Sequence, residues 1–119
     1  DLKGVILKPN MILAGNKSKE KISNEEVAKL TLNCLKSSVP SEVPGIAFLS
    51  GGQSSDNATS HLNCMNKNNS NLSWNLTFSY GRALQADALL EWGGENREKG
   101  QEALLIRAKN NGLASMGQL

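Results

Sequence analysis

Three short stretches of this 119-residue chain hold the residue types that could do chemistry. The first is Lys8, which ends the aliphatic run Val5-Ile6-Leu7 and stands directly before Pro9. A lysine at a strand end can lay its stem along apolar surface and keep its ammonium in water. A lysine becomes a nucleophile toward a ketone when desolvation and neighbouring cations free its amine. The second stretch is Ser50-Gly51-Gly52-Gln53-Ser54, between an apolar run and a helical pattern. Glycines let backbone amides approach an anion, a helix N-terminus adds partial positive charge, and Ser50 adds a hydroxyl donor. A ligand-free tight turn is the simpler explanation of a lone Gly-Gly. The third stretch is Gly81-Arg82, in the corresponding place one unit later. The helix dipole disfavours a cation at a helix start, and a bound anion would account for an arginine there. The two loops together are stronger evidence for a phosphate than either one.

These residues can cooperate only if the elements bearing them end on one edge. Val5–Leu7, Gly45–Leu49 and Trp74–Phe78 are apolar runs that read as strands. Ser23-Asn-Glu-Glu26 reads as a capping box, followed by Val27, Leu30, Cys34 and Leu35 on a helix that Pro40 and Pro44 end. Ala58, Leu62 and Met65 share a second helical face. Ala83 to Trp92 and Glu98 to Ala108 read as two further helices, with Gly93-Gly94 and Gly112 as their stops. Lys67 to Ser73 is polar and reads as a surface turn. Strands apolar throughout predict a parallel sheet buried on both faces. Their starts lie about 30 to 40 residues apart, the size of successive βα units. Three units cannot close a barrel, and an open doubly wound sheet fits this pattern almost as well.

Longer motifs separate the two. Gly4-Val-Ile-Leu-Lys8-Pro-Asn-Met11 resembles the Schiff-base lysine segment of class I fructose-1,6-bisphosphate aldolases. Val43-Pro-Gly-Ile-Ala-Phe-Leu-Ser-Gly-Gly-Gln-Ser54 resembles their first phosphate-loop segment. Leu62-Asn63, Met65-Asn66, Trp74 to Gln85 and Gln101 to Ala108 continue the likeness in order, over essentially the whole chain. Asp1-Leu-Lys3 and Ser55-Asp-Asn57 depart from the family pattern without touching the proposed chemistry.

The resemblance implies an α/β fold: the C-terminal three βα units of a TIM (β/α)8 barrel plus a terminal helix, with residues 1–119 as one partial barrel domain. It implies reversible cleavage of fructose 1,6-bisphosphate into dihydroxyacetone phosphate and glyceraldehyde 3-phosphate. Lys8 would form the imine. Ser50, Gly51, Gly81 and Arg82 would hold the phosphate of the ketose end. No cofactor or metal is implied, the partners are small-molecule sugar phosphates, and the full-length protein would be a homotetramer, cytoplasmic or plastidic. The family's proton-shuttling carboxylates and second phosphate site would lie upstream of this chain. Two other readings remain: a truncated relative that binds sugar phosphate or a protein partner without catalysis, and another phosphate-binding barrel enzyme with a Schiff-base lysine.

Composition sets the outer limits. Hydrophobic residues at 39% and charged residues at 20% predict a soluble globular domain. Aromatics at 4% leave its core to Leu, Ile, Val and Ala. A net charge of +2 from scattered residues argues against nucleic acid, and no apolar run nears the roughly 20 residues of a membrane span. The chain starts at Asp1, so a missing N-terminal part is expected. Cys34 and Cys64 are expected as small buried hydrophobes, His61 as structural or superficial, and Glu25, Glu26, Asp87 and Glu91 as helix-surface charges.

Overall fold

The computed structural model describes residues 1–67 and 71–119. The centre of the expected polar turn, residues 68–70, lies outside them. A short 3-10 turn, Leu2–Gly4, opens the chain, with the Asp1 carboxylate accepting the Lys3 amide at 3.1 Å. The elements that follow are β1 (Ile6–Leu7), α1 (Asn24–Ser38), β2 (Gly45–Phe48), α2 (Ser55–Lys67), β3 (Asn75–Phe78), α3 (Arg82–Trp92) and α4 (Arg97–Ser115).

Local chemistry sets their ends. Ser23 Oγ accepts the Glu26 amide at 3.1 Å and starts α1, which stops just before Pro40. Ser54 Oγ accepts the Asn57 amide at 3.2 Å and starts α2. Gly93, at φ 52°, takes the left-handed conformation that ends α3. Asn96 Oδ1 accepts the Lys99 amide at 3.2 Å and starts α4. The stop expected at Gly112 is not one, since α4 runs on to Ser115. Asn111 and Ala114 flank that glycine and are fully buried, so packing carries the helix through it. The chain turns instead at Gly117, at φ 67°, where any β-carbon would lie 2.8 Å from the Lys67 amide nitrogen.

The strands form one parallel sheet in the order β1-β2-β3. Ile6 pairs with Gly45, and Gly45 with Asn75. Leu7, Ile46 and Leu76 lie in register one step on, and Phe48 lies opposite Phe78. Ile46 and Phe48 are sealed from solvent against the helices, while Gly45, Ala47 and Thr77 on the other face are only half-buried and Asn75 is exposed. Among the described residues the sheet is thus covered on one face, a correction to the two-sided burial expected from its apolar runs. A doubly wound sheet carries helices on both faces, so this layering departs from that alternative. β1 is the least covered strand, with Ile6 69% exposed.

The core joins Val27, Leu32 and Leu35 of α1, Ala58, Leu62 and Met65 of α2, and Ala114 of α4 to the inner face of the strands. On α1 the buried stripe is Val27, Ala28, Thr31, Leu32 and Leu35. Leu30 and Cys34, expected on it, are exposed, because at 100° per residue they point about 130° and about 90° from its centre. Cys64 is half-buried, and burial together with Glu25 pushes its thiol pKa up. Two polar side chains lock elements together. Asn66 Nδ2 donates to the carbonyls of Leu62, Leu76 and Ala114, joining α2, β3 and α4. The buried Trp74 donates its indole N–H to the Pro40 carbonyl at 3.0 Å, whereas Trp92 at the end of α3 is exposed.

Candidate functional site

Because the strands are parallel, their C-terminal ends share one edge, and all three sequence-predicted stretches leave the sheet there. Lys8 follows β1 and is exposed. The Leu49 amide donates to the Pro9 carbonyl at 3.0 Å, so the alignment of β1 with β2 persists past Lys8. Strand alternation carried one residue beyond Leu7 puts Lys8 on the same face as Ile6, Ala47 and Thr77, the face without helices. Asn10 then closes against the next loop. A β-carbon added at Gly51 would overlap the Asn10 side-chain amide, so only glycine lets the Lys8-Pro9-Asn10 segment and the Ser50–Ser54 loop meet this closely.

That loop is built to leave amides free. Gly51 and Gly52 take φ values of 58° and 82°, and the Gln53 amide closes the turn onto the Ser50 carbonyl at 3.0 Å. Among the described residues, the amides of Gly51, Gly52 and Gly81 have no acceptor within the protein. Ser50 is buried at the end of β2. The Ser79 amide donates to the Phe48 carbonyl at 2.8 Å, holding the end of β3 beside β2. Tyr80, whose pKa burial pushes up, donates its hydroxyl to the Ala58 carbonyl at 2.8 Å and fixes the turn into α3. Gly81 is the N-cap of α3 and Arg82 its first residue, exposed and with no side-chain cap beside it. Two helix N-termini, free glycine amides, a serine hydroxyl and a guanidinium therefore border one edge, a combination suited to a phosphate. The lysine beside them suits attack on a carbonyl.

A cleft of about 500 Å³ borders the same loop at Gly51, Gly52 and Gln53 and extends to Leu13 and Ile22. His61 lines it, and its ring Nδ1 donates to Gln53 Oε1 at 2.6 Å. His61 is a buried support of the loop rather than a surface group, and its burial lowers its pKa. Among the described residues, no cluster of His, Cys, Asp and Glu could hold a metal ion.

A polar cluster behind the loops escaped the sequence reading. Arg107 of α4 reaches inward, its side chain 10% exposed. Its Nη2 donates to Asp56 and Asp87, both at 2.7 Å, its Nε to Asp87 at 2.9 Å, and its Nη1 to Thr59 at 3.1 Å. Burial works against the charge, but the two carboxylates outweigh it and raise the guanidinium pKa. Asp87 also accepts the Ser55 hydroxyl at 3.1 Å, and Thr59 donates to the buried Asn111 at 2.6 Å. Asp87, expected as a helix-surface charge, is partly exposed but also paired with Arg107 and Ser55. The one signal in the sequence was the spacing of Arg107 and Asn111, four residues apart on a single helix face.

This geometry agrees with what known proteins resemble the chain. The family model described as class-I fructose-bisphosphate aldolase (glycolytic) matches residues 1–119. Fructose-bisphosphate aldolase B of Sparus aurata is 50% identical over 119 residues, covering 98% of this chain and 33% of that protein. The chloroplastic fructose-bisphosphate aldolase 2 of Pisum sativum is 53% identical over 117 residues, covering 97% of this chain and 33% of that protein. A cytosolic relative, fructose-bisphosphate aldolase 4 of Arabidopsis thaliana, is 49% identical, covering 98% of this chain and 30% of that protein. Among solved structures, the aldolase of Plasmodium falciparum in complex with TRAP and a small-molecule inhibitor superposes with a TM-score of 0.92 at 46% identity, covering 98% of this chain and 34% of that one. The chain spans about a third of the length of the curated relatives it matches. With its motifs, its parallel α/β layering and its family match in agreement from end to end, the chain belongs to the class-I fructose-bisphosphate aldolase family.

Proposed function

We propose that this chain forms the last three βα units, with a terminal helix, of an eightfold barrel that reversibly cleaves fructose 1,6-bisphosphate. Residues 1–119 are then one part of a single barrel domain, and the open face of the sheet, with Lys8 on it, looks into the barrel's interior. The Lys8 amine adds to the C2 ketone and water leaves, giving an iminium. A base takes the proton of the C4 hydroxyl, the C3–C4 electron pair moves into the iminium, and glyceraldehyde 3-phosphate departs. The resulting enamine, once protonated at C3 and hydrolysed, yields dihydroxyacetone phosphate and restores the Lys8 amine. Ser50, the Gly51 and Gly81 amides and Arg82 hold the phosphate of the ketose end and so fix the ketone beside Lys8, making attack effectively intramolecular. On this reading the proton-shuttling carboxylates and the second phosphate site belong to the part of the barrel upstream of Asp1. On the same reading the complete protein is a homotetramer in the cytoplasm, or in the plastid as in the pea relative.

The observation that carries this reading is the packing of Asn10 against Gly51, which sets the Lys8 segment against the glycine loop at one sheet edge. Borohydride reduction of the full-length protein with dihydroxyacetone phosphate tests it. A covalent adduct is expected on Lys8 and is lost in Lys8→Met. An adduct on another lysine, or none, refutes the assignment.

A further inference from the structure

Arg107 sits where it can control the spacing of the two loops. It holds the first turn of α2 through Asp56 and the second turn of α3 through Asp87, while Ser55 reaches across to Asp87. Ser55 directly follows the Ser50–Ser54 loop, and Asp87 lies one and a half helical turns beyond Arg82 on a rigid helix. A single planar guanidinium, seated on a third helix, thus joins the helices that follow the two loops. A planar fork fixes both direction and distance, which a lysine ammonium cannot do.

Resting on the aldolase reading above, we infer that Arg107 is a positioning residue for the phosphate end of the site. It touches neither loop. By tying α2 to α3 it holds the Gly51 loop and Arg82 at a fixed spacing, on which a shared phosphate contact depends. Asp56 and Asp87 share the role, because together they fix where the guanidinium sits. The Asp56 side chain is 87% exposed, so the cluster has an open side there.

The test uses the complete protein and two ketones, dihydroxyacetone phosphate and dihydroxyacetone, which lacks the phosphate. Arg107→Lys keeps the charge and loses the fork, and should weaken dihydroxyacetone phosphate binding about tenfold, in line with the sensitivity of positioned groups to small displacements. Borohydride trapping of dihydroxyacetone on Lys8 should stay within about twofold of the parent, because no phosphate contact is involved. In an Arg82→Ala background the same substitution should cost little, since coupled residues are not additive. Asp87→Asn and Asp56→Asn repeat the comparison, with about threefold losses expected, should Arg107→Lys fail to fold. Folded variants with unchanged phosphate affinity, or equal losses for both ketones, overturn the inference. A parent protein that traps neither ketone on Lys8 instead defeats the aldolase reading, and this inference with it.

Discussion

Arg82 opens α3, where the helix dipole works against a cation. On the proposed function phosphate binding would be the compensation, so Arg82→Ala should weaken ketose-phosphate binding by about 1.5–3 kcal/mol, the range for a charged hydrogen bond. Calorimetric titration with dihydroxyacetone phosphate checks it, and unchanged affinity removes Arg82 from the site. His61 yields a pH prediction. Burial depresses its folded-state pKa, so in that range the unfolded chain binds the proton more readily. Its contribution to stability is complete above the unfolded value, about pH 6.5, and is lost as pH falls through the folded one. Melting temperature should therefore fall on acidification below that point, and His61→Gln should reduce the slope. The placement of Lys8, Ser50 and Arg82 at one sheet edge was legible in the sequence because each ends an apolar run or opens a helix. Arg107, Asp56 and Asp87 were not. Their meaning depends on three helices meeting, and spacing within one helix does not show that.

Among the elements, α3 and α4 are set unusually close. A β-carbon at Gly100 would lie 2.8 Å from the Trp92 β-carbon and 3.3 Å from the Ala88 carbonyl oxygen. Gly100→Ala would gain about 1 kcal/mol of helix propensity at an open site. Here overpacking, at about 1–3 kcal/mol, should win and leave a net loss measurable by urea unfolding. A stabilised variant would show that the helix pair can separate without cost. Strand and helix positions were readable, since apolar runs and caps are local signals. Two features were not. Gly112 resembled a stop because propensity ignores the packing of Asn111 and Ala114, and the true turn at Gly117 depends on close approach to Lys67. The one-sided sheet was hidden because an apolar run reads the same whether its second face is covered or open.

At the scale of the molecule, the open sheet face and the outer helices show much apolar surface. Ile6 is 69% exposed, Leu90 80% and Leu105 70%. The outer side of β1 pairs with no strand among the described residues, which leaves a template for association. The isolated 119-residue chain should therefore be poorly stable, bind an apolar dye such as ANS, and cleave little or no substrate. Turnover near that of a complete homologue would disprove this. The two tryptophans give that experiment an optical readout. Trp74 is shielded and hydrogen-bonded in the core, whereas Trp92 faces solvent at the far end of α3. Their emission should differ in colour and in access to a soluble quencher. Loosening of the outer helix pair would then register in the red, quenchable component alone, and collapse of the core in both. The chain carries intrinsic fluorophores that tell local opening from global unfolding, with no label attached.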